Sequence, residues 1–346
     1  MTNAIKTGLL AYGMSGKVFH APFVATHPGF DFRAVVERHH KQAAQDYPGV
    51  ISYDSVEALL ADPELELVIV NTPSNTHFEL TQQVLQAGKH VLVEKPMTAS
   101  LAEAQTLFDL GRQMGKQVFV YQNRRWDSDF EAVQQVINSG QLGQLIEVHF
   151  RYDRYKTALN PKPFKETPVP ASGIVYDLGP HLLDQVISLF GKPLRSHKTT
   201  GRYRATTKVD DYFTIHLQYP DGLNVFVTSG LLVANPLPAF VLHGTTGSFQ
   251  KGRVDVQEPQ LQQGISPTAA EYGLEAPGSE GVLTVVGAED EKTTTKVPSL
   301  KGDYTGLFEA VYQTLRNDVL YPIREEQILW QLALLEQNPG DWAFLG

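Results

Sequence analysis

The 346-residue chain is longer than one hydrophobic core commonly supports, so two domains are expected. At 42% hydrophobic and 19% charged residues it is globular in composition, and a formal charge of −9 argues against nucleic acid as the main partner, since phosphate binding needs a basic face. No cysteine occurs, which removes disulfides, thiolate catalysis and thiolate metal sites. The first six residues lack a signal-peptide stretch and no run of about 18 apolar residues follows, so a soluble cytoplasmic protein without a membrane partner is expected.

In chain order, residues 1–122 alternate short apolar strands (7–11, 32–36, 67–70, 90–93 and 117–121) with helical segments. Such alternation predicts a parallel sheet with crossover helices, its strands covered on both faces. Ser100 with Glu103, Thr76 with Glu79 and Asp54 with Glu57 have capping-box spacing, while Gly88 and Gly115 stand where left-handed helix stops belong. After Asn123 the texture changes. A helix over 129–139, a strand over 145–152, a Pro/Lys-rich loop over 160–170 and a helical stretch reaching Phe190 are expected. From 195 to 297, runs such as 212–218, 225–231 and 240–243 predict a mainly antiparallel sheet, and a last helix covers 304–316. The expected domains are therefore 1–122 and 123–346.

The first strand runs into Ala11-Tyr12-Gly13-Met14-Ser15-Gly16. A turn of the G-x-G-x-x-G type lets backbone approach a pyrophosphate at a helix N-terminus, where free N–H groups and the helix dipole favour anions. Ala11 stands at the first glycine position and Gly13 and Gly16 at the others. Glu37 closes the second strand where an acid meets ribose hydroxyls. Arg38 directly after it suits a 2′-phosphate, so NADP is the expected cofactor, with NAD as the alternative. The blander reading of Arg38, His39 and Lys41 is a solvated charge run.

Strand carboxyl ends of an open parallel sheet face the ligand crevice, which places Asn71-Thr72-Pro73 and Glu94-Lys95-Pro96 beside a nicotinamide. Lys95 can stabilise a developing alkoxide or move a proton; otherwise it is a surface ion pair. Asp177-x-Gly179-x-His181-x-x-Asp184 puts three polar groups within about 60° of one another on a continuous helix. Asp177 can orient the His181 imidazole as a proton acceptor. A metal site lacks further ligands at suitable spacing, a capping and salt-bridge cluster remains an alternative, and Pro180 disturbs the helix. Asn123-Arg124-Arg125-Trp126-Asp127 is a third patch, its arginines beside an aromatic suited to a polyhydroxylated substrate or the cofactor diphosphate, with Trp126 as an interdomain wedge the alternative.

Taken in this order, the glycine turn, Thr72-Pro73-Ser74-Asn75-Thr76-His77, Glu94-Lys95-Pro96 and the Asp177–His181 motif resemble the glucose–fructose oxidoreductase, inositol dehydrogenase and rhizopine catabolism (Gfo/Idh/MocA) family. Val18-Phe19-His20-Ala21-Pro22, the segment 123–127 and Gly244-Thr245-Thr246-Gly247-Ser248-Phe249 resemble more narrowly a branch that includes NADP-dependent scyllo-inositol 2-dehydrogenases. The resemblance implies a Rossmann doubly wound parallel sheet followed by an α/β domain with a large, open, mainly antiparallel sheet that commonly pairs subunits as dimers or tetramers. It implies a lysine, an aspartate and a histidine at the reacting centre, here Lys95, Asp177 and His181. Cofactor contacts then fall on Tyr12, Gly13, Met14, Ser15, Gly16, Glu37, Arg38, Thr72, Pro73, Asn75, His77, Glu94 and Lys95, and substrate contacts on Asn123, Arg124, Trp126, Asp177 and His181. The expected activity is NAD(P)-dependent hydride transfer with a sugar or cyclic polyol. A reductase of small keto-sugars such as anhydro-ketoses, and a non-catalytic nucleotide-sensing regulator, are the rivals.

Overall fold

A computed structural model describes residues 4–160 and 165–345, so 161–164 of the expected 160–170 loop and the first three residues lie outside the description. The chain divides into two compact units. One holds the residues up to Asn123 with Val256–Tyr272 and Asp303–Glu325; the other holds Arg124–Asp255, Gly273–Gly302 and the chain from Glu326 on.

In the first unit, β1 (Ile5–Leu9), β2 (Phe30–Val36), β3 (Ile51–Tyr53), β4 (Leu67–Val70), β5 (His90–Glu94) and β6 (Val118–Tyr121) form one parallel sheet in the order β3-β2-β1-β4-β5-β6. Leu67 to Val70 and Val91 to Val93 are buried throughout, as expected of central strands covered on both faces. The strand order reverses beside β1, so a crevice opens at the carboxyl ends of β1 and β4. Between the strands run α1 (Ala21–Thr26), α2 (Ala43–Asp46), α3 (Val56–Leu60), α4 (His77–Gln86) and α5 (Leu101–Met114). Ser100 and Glu103 form the expected reciprocal cap of α5. The α3 cap shifts by one residue: Ser55, not Asp54, accepts the Ala58 N–H at 3.1 Å. Thr76 makes no cap, because its hydroxyl donates to Pro73 O at 2.7 Å. Gly88 (φ +73°) and Gly115 (φ +63°) take the left-handed conformation expected of helix stops.

The second unit carries α6 (Ser128–Asn138), β7 (Leu145–Arg151), α7 (Gly173–Asp177) and α8 (Gly179–Phe190), then β8 (Arg195–Gly201), β9 (Tyr212–Gln218), β10 (Asn224–Gly230), β11 (Phe240–Gly244) and β12 (Gly247–Lys251). Two segments of the second half, with α9 (Gln257–Gln262) and α10 (Thr305–Asn317), return to the first unit. The expected boundary, with everything after 122 in one domain, therefore needs correction. The returning segments are held by aromatic packing: Phe23 stacks on Phe308 at 5.2 Å and meets Tyr272 and Tyr304 at 6.2 Å each.

With β13 (Gly281–Val286), β14 (Lys292–Val297) and β15 (Trp342–Phe344), the second unit builds a nine-stranded sheet, β14-β13-β12-β11-β7-β10-β9-β8-β15. All its neighbours are antiparallel except β7 and β10. Burial alternates along β9, the second half of β7 and the start of β10: Val148, Phe150, Phe213, Ile215, Leu217, Val225 and Val227 are buried, and α8 lies against β7 and β10. The intervening residues form a half-exposed face on which Phe226 stacks between His149 and His216, at 5.0 and 4.4 Å. The helix over 304–316 is not the last, since α11 (Glu325–Glu336) follows. No helix among the described residues is long and apolar enough to cross a membrane.

Candidate active site

The glycine turn of the first unit is pinned from two sides. The Asn71 side chain, just past β4, accepts the Ala11 N–H at 3.0 Å and donates to Ala11 O at 2.8 Å. The Tyr12 hydroxyl donates to Asp46 at 2.8 Å, and burial first, then Asp46, pushes its pKa upward. Lys17 sits 5.0 Å above the Tyr12 ring and donates to Gln42. Gly16 must be glycine, because a Cβ there would come 2.3 Å from Ala11 O. Gly13 is the opposite case. A Cβ there would meet nothing within 4 Å, and Met14 beside it is half exposed, so the turn borders open space at the start of a helix. A pyrophosphate approaches backbone in such a space, and a nicotinamide dinucleotide fits these residues.

Glu94, at the end of β5, reaches back to this turn. Its Oε1 accepts from the Ser15 hydroxyl at 2.7 Å and faces His20 Nε2 at 2.9 Å, while Oε2 accepts the Lys95 N–H at 3.3 Å. Burial alone raises the Glu94 carboxyl, but His20, Ser15 and Lys95 outweigh it and hold the pKa below the ordinary glutamate value. Glu94 is thus an ionised brace, with the half-buried Lys95 beside the glycine turn. His77, expected among the cofactor contacts, is buried instead. Its ring nitrogens lie 2.8 Å from Pro96 O and 2.9 Å from Thr72 O, so it clamps the two strand-end loops together, and burial lowers its pKa. Thr72 meets the Thr76 hydroxyl at 2.7 Å. Asn71 is among the residues expected beside the nicotinamide; His20 is not, and only its contact with Glu94, 74 residues away in sequence, marks it.

Glu37 departs most clearly from expectation. Its carboxylate accepts from Gln42 N (2.8 Å), from Ala43 N at both oxygens (3.3 Å each) and from the Ser52 hydroxyl (2.6 Å). A carboxylate has about four acceptor sites, and here internal donors fill them. The acid caps the start of α2 and is 7% exposed. Arg38, His39 and His40 follow, all exposed.

In the second unit, Asp177 ends α7 and His181 lies in the first turn of α8, with Leu178 at the break. The single-helix arithmetic therefore does not carry across this motif. Pro180 opens α8, where its missing N–H removes no helical bond. Asp210 fixes α7 by accepting Val175 N–H at 2.7 Å on its side chain and Ile174 N–H at 3.0 Å on its carbonyl. Gly173 (φ +82°) passes so close that a Cβ would come 2.2 Å from that carboxylate. Asp177 accepts from Lys165 Nζ at 2.9 Å, and His181 is 6% exposed. Asp184 belongs elsewhere: both its oxygens take Arg125, at 2.8 Å each. Among the described residues no group of three or more His, Asp or Glu side chains is arranged to hold a metal ion.

The third patch is largely interior. Arg124 is 6% exposed and pairs with Asp127 at 3.0 Å and Asp255 at 2.9 Å, its guanidinium 5.3 Å from the Tyr152 ring. With both ion pairs it serves as a strut inside this unit. Asn123 is buried and Trp126 half exposed. Burial pushes Asp127 up to about 7, with Arg124 pulling down and Asp129 pushing up. The unfolded carboxyl titrates near about 3.9. Between these values the folded chain holds a proton that the unfolded chain has released, so stability is full below about pH 4 and falls as pH rises through about 7. Asp127→Asn is expected to flatten that decline, read as urea midpoints at about pH 4.5 and 7.5. An undiminished decline would assign it to another group.

The family model described as "Oxidoreductase family, NAD-binding Rossmann fold" matches residues 5–122, and the "GFO/IDH/MocA C-terminal domain" matches 130–250. The chain belongs to the Gfo/Idh/MocA oxidoreductase family. It is 36% identical over 354 residues to the uncharacterized oxidoreductase C115.03 of Schizosaccharomyces pombe, covering 96% of this chain and 95% of that protein. It is 33% identical over 334 residues to the scyllo-inositol 2-dehydrogenase (NADP(+)) IolW of Bacillus subtilis, covering 96% and 92%. Among solved structures, the putative oxidoreductase yvaA of Bacillus subtilis superposes with a TM-score of 0.92 at 32% identity, over 97% of this chain and 95% of that one. This family member is an oxidoreductase with an NAD-binding Rossmann domain and dehydrogenase relatives, consistent with an NAD(P)-dependent dehydrogenase.

Proposed function

We propose that this protein is an NADP(H)-dependent dehydrogenase interconverting a secondary alcohol and a ketone on a sugar or cyclic polyol of the inositol type. The observation that carries the reading is the hydrogen bond from Ser15 to Glu94, which ties the glycine turn directly to the segment bearing Lys95. An amine held beside a dinucleotide turn suits alkoxide stabilisation rather than a solvated surface pair. The preference for NADP is supported by Glu37, whose filled carboxylate leaves the exposed Arg38 as the charged group at the end of β2. The name of the Bacillus subtilis relative points the same way on both cofactor and substrate.

A bound nicotinamide supplies the hydride acceptor for the alcohol, or the donor in reverse. Lys95 favours the alkoxide electrostatically without itself needing to lose a proton. His181 takes the hydroxyl proton as the carbonyl forms and returns it on reduction. Asp177 binds neighbouring hydroxyls and biases the imidazole. We also read the half-exposed sheet face as the surface on which subunits pair.

The test follows nicotinamide absorbance with scyllo-inositol, myo-inositol and D-glucose under NADP+ and NAD+, and with NADPH under the corresponding ketones. Turnover with a polyol, and a preference for NADP that falls about tenfold or more in Arg38→Ala, is expected, since hydrogen bonds to charged groups contribute roughly 1.5–3 kcal/mol. Turnover with none of these substrates would remove the dehydrogenase reading.

A further inference from the structure

Lys165 stands 2.9 Å from Asp177 without being needed to hold its loop. The holding is done one residue later. Glu166 accepts the Asn160 N–H at 2.7 Å and takes Arg204 at 3.0 Å and the Thr207 hydroxyl at 3.2 Å on its other oxygen. Arg204 is itself buried, bonded to Asp211 through its backbone N–H at 2.7 Å and to Ala158 O through Nη1 at 3.1 Å. Against that interior network, the Lys165–Asp177 pair has side chains 36% and 37% exposed. An exposed pair of this kind contributes about 0–1 kcal/mol to stability. Solvent reaches both groups, and so can a ligand.

We propose that Lys165 and Asp177 together form a clamp for two adjacent hydroxyls, which makes Lys165 a specificity-determining residue of this site. This rests on the reading of Asp177 as a hydroxyl-binding group. The ammonium offers only donors and the carboxylate only acceptors. One hydroxyl oxygen accepts from Lys165 Nζ while its neighbour donates to Asp177 Oδ1. Vicinal oxygens on a saturated ring are separated by about the length of a hydrogen bond, which matches the spacing of the two protein atoms. The pair carries no net charge. An acidic ligand drawn to the lysine is opposed by the aspartate, and a cationic ligand meets the reverse, so the selected class is neutral and polyhydroxylated. Arg204 and Glu166 keep the lysine at this station; they do not touch the ligand in this reading.

The test compares rings with and without adjacent hydroxyls. The full chain with NADP+ is assayed on scyllo-inositol, myo-inositol and D-glucose, whose hydroxyls are vicinal, and on cyclohexane-1,3,5-triol, whose hydroxyls never are. Lys165→Met, which keeps most of the apolar stem and removes the ammonium, is expected to raise KM for the vicinal rings by about 10–100-fold with a much smaller fall in kcat. Lys165→Arg is expected to recover most of the affinity. The preference of wild type for vicinal rings over the triol should shrink by the same factor in Lys165→Met, while the thermal midpoint stays within about two degrees. An unchanged preference overturns the clamp while leaving the dehydrogenase reading intact, and so does an equal loss on both classes of ring. Absence of turnover on every vicinal ring by wild type is a different result, which overturns the hydroxyl-binding reading and the clamp with it.

Discussion

Lys95→Met and His181→Asn are each expected to lower kcat by roughly 10²–10⁴-fold while changing NADPH affinity far less, because a positioned proton-transfer or charge-stabilising group contributes on that scale. The chosen replacements keep the local packing. Methionine retains the apolar stem of the half-buried Lys95, and Glu94 stays bound to Ser15 and His20, so the brace under the nucleotide turn survives. Asparagine retains a polar group in the first turn of α8, where His181 is 6% exposed and an alanine would leave a hole. If both residues serve the same chemical step, the double variant should fall little below the worse single variant rather than show the product of the two losses. The measurements are turnover from nicotinamide absorbance and NADPH dissociation constants by titration. Wild-type turnover in either variant would take that residue out of the chemistry. A non-catalytic nucleotide-sensing protein would instead bind NADPH tightly in every variant and turn over nothing.

The parts of this molecule that were legible in its sequence are those encoded by near neighbours. Central strands such as Leu67–Val70 are continuous apolar runs, and Ser100 with Glu103 sits three residues apart, so each carries its own signal. The three-residue β3 is half exposed and has no such run, and it was missed. The helix α11 was missed because its apolar period is broken by two buried glutamines with distant partners: Gln331 donates to Pro180 O and Gln327 accepts from Arg125. The site divides the same way. The glycine turn and Glu94-Lys95-Pro96 are local motifs, each readable from its own residues. The rule that places a strand-end acid such as Glu37 at the ribose cannot see Ser52 arriving fifteen residues later on β3 to donate to it. The ion pair of Arg124 with Asp255 is equally invisible locally, since Asp255 lies far along the chain. The return of Tyr272, Tyr304 and Phe308 to pack on Phe23 likewise has no local signature.

Two glycines three residues apart should respond differently to the same substitution, and the contrast locates the dinucleotide. In Gly16→Ala the new methyl meets backbone: Ala11 O at 2.3 Å, with the Asn71 amide nitrogen at 3.0 Å. Asn71 grips Ala11 at both its N–H and its carbonyl, so the turn has no easy direction in which to yield. Overpacking of this kind costs about 1–3 kcal/mol, and a lower thermal midpoint together with about 10–100-fold weaker NADPH binding is expected. In Gly13→Ala the methyl meets nothing within 4 Å beyond its own chain neighbours, and the residue does not need a left-handed backbone. Stability should therefore hold, or rise slightly as the unfolded chain loses freedom. Nucleotide binding should still fall, by about tenfold or more, because that methyl occupies the space through which a pyrophosphate reaches the turn. Thermal melts and NADPH titrations on the two variants measure both quantities. A Gly13→Ala protein that keeps its melting point and also keeps wild-type affinity would mean that the dinucleotide does not lie on this turn.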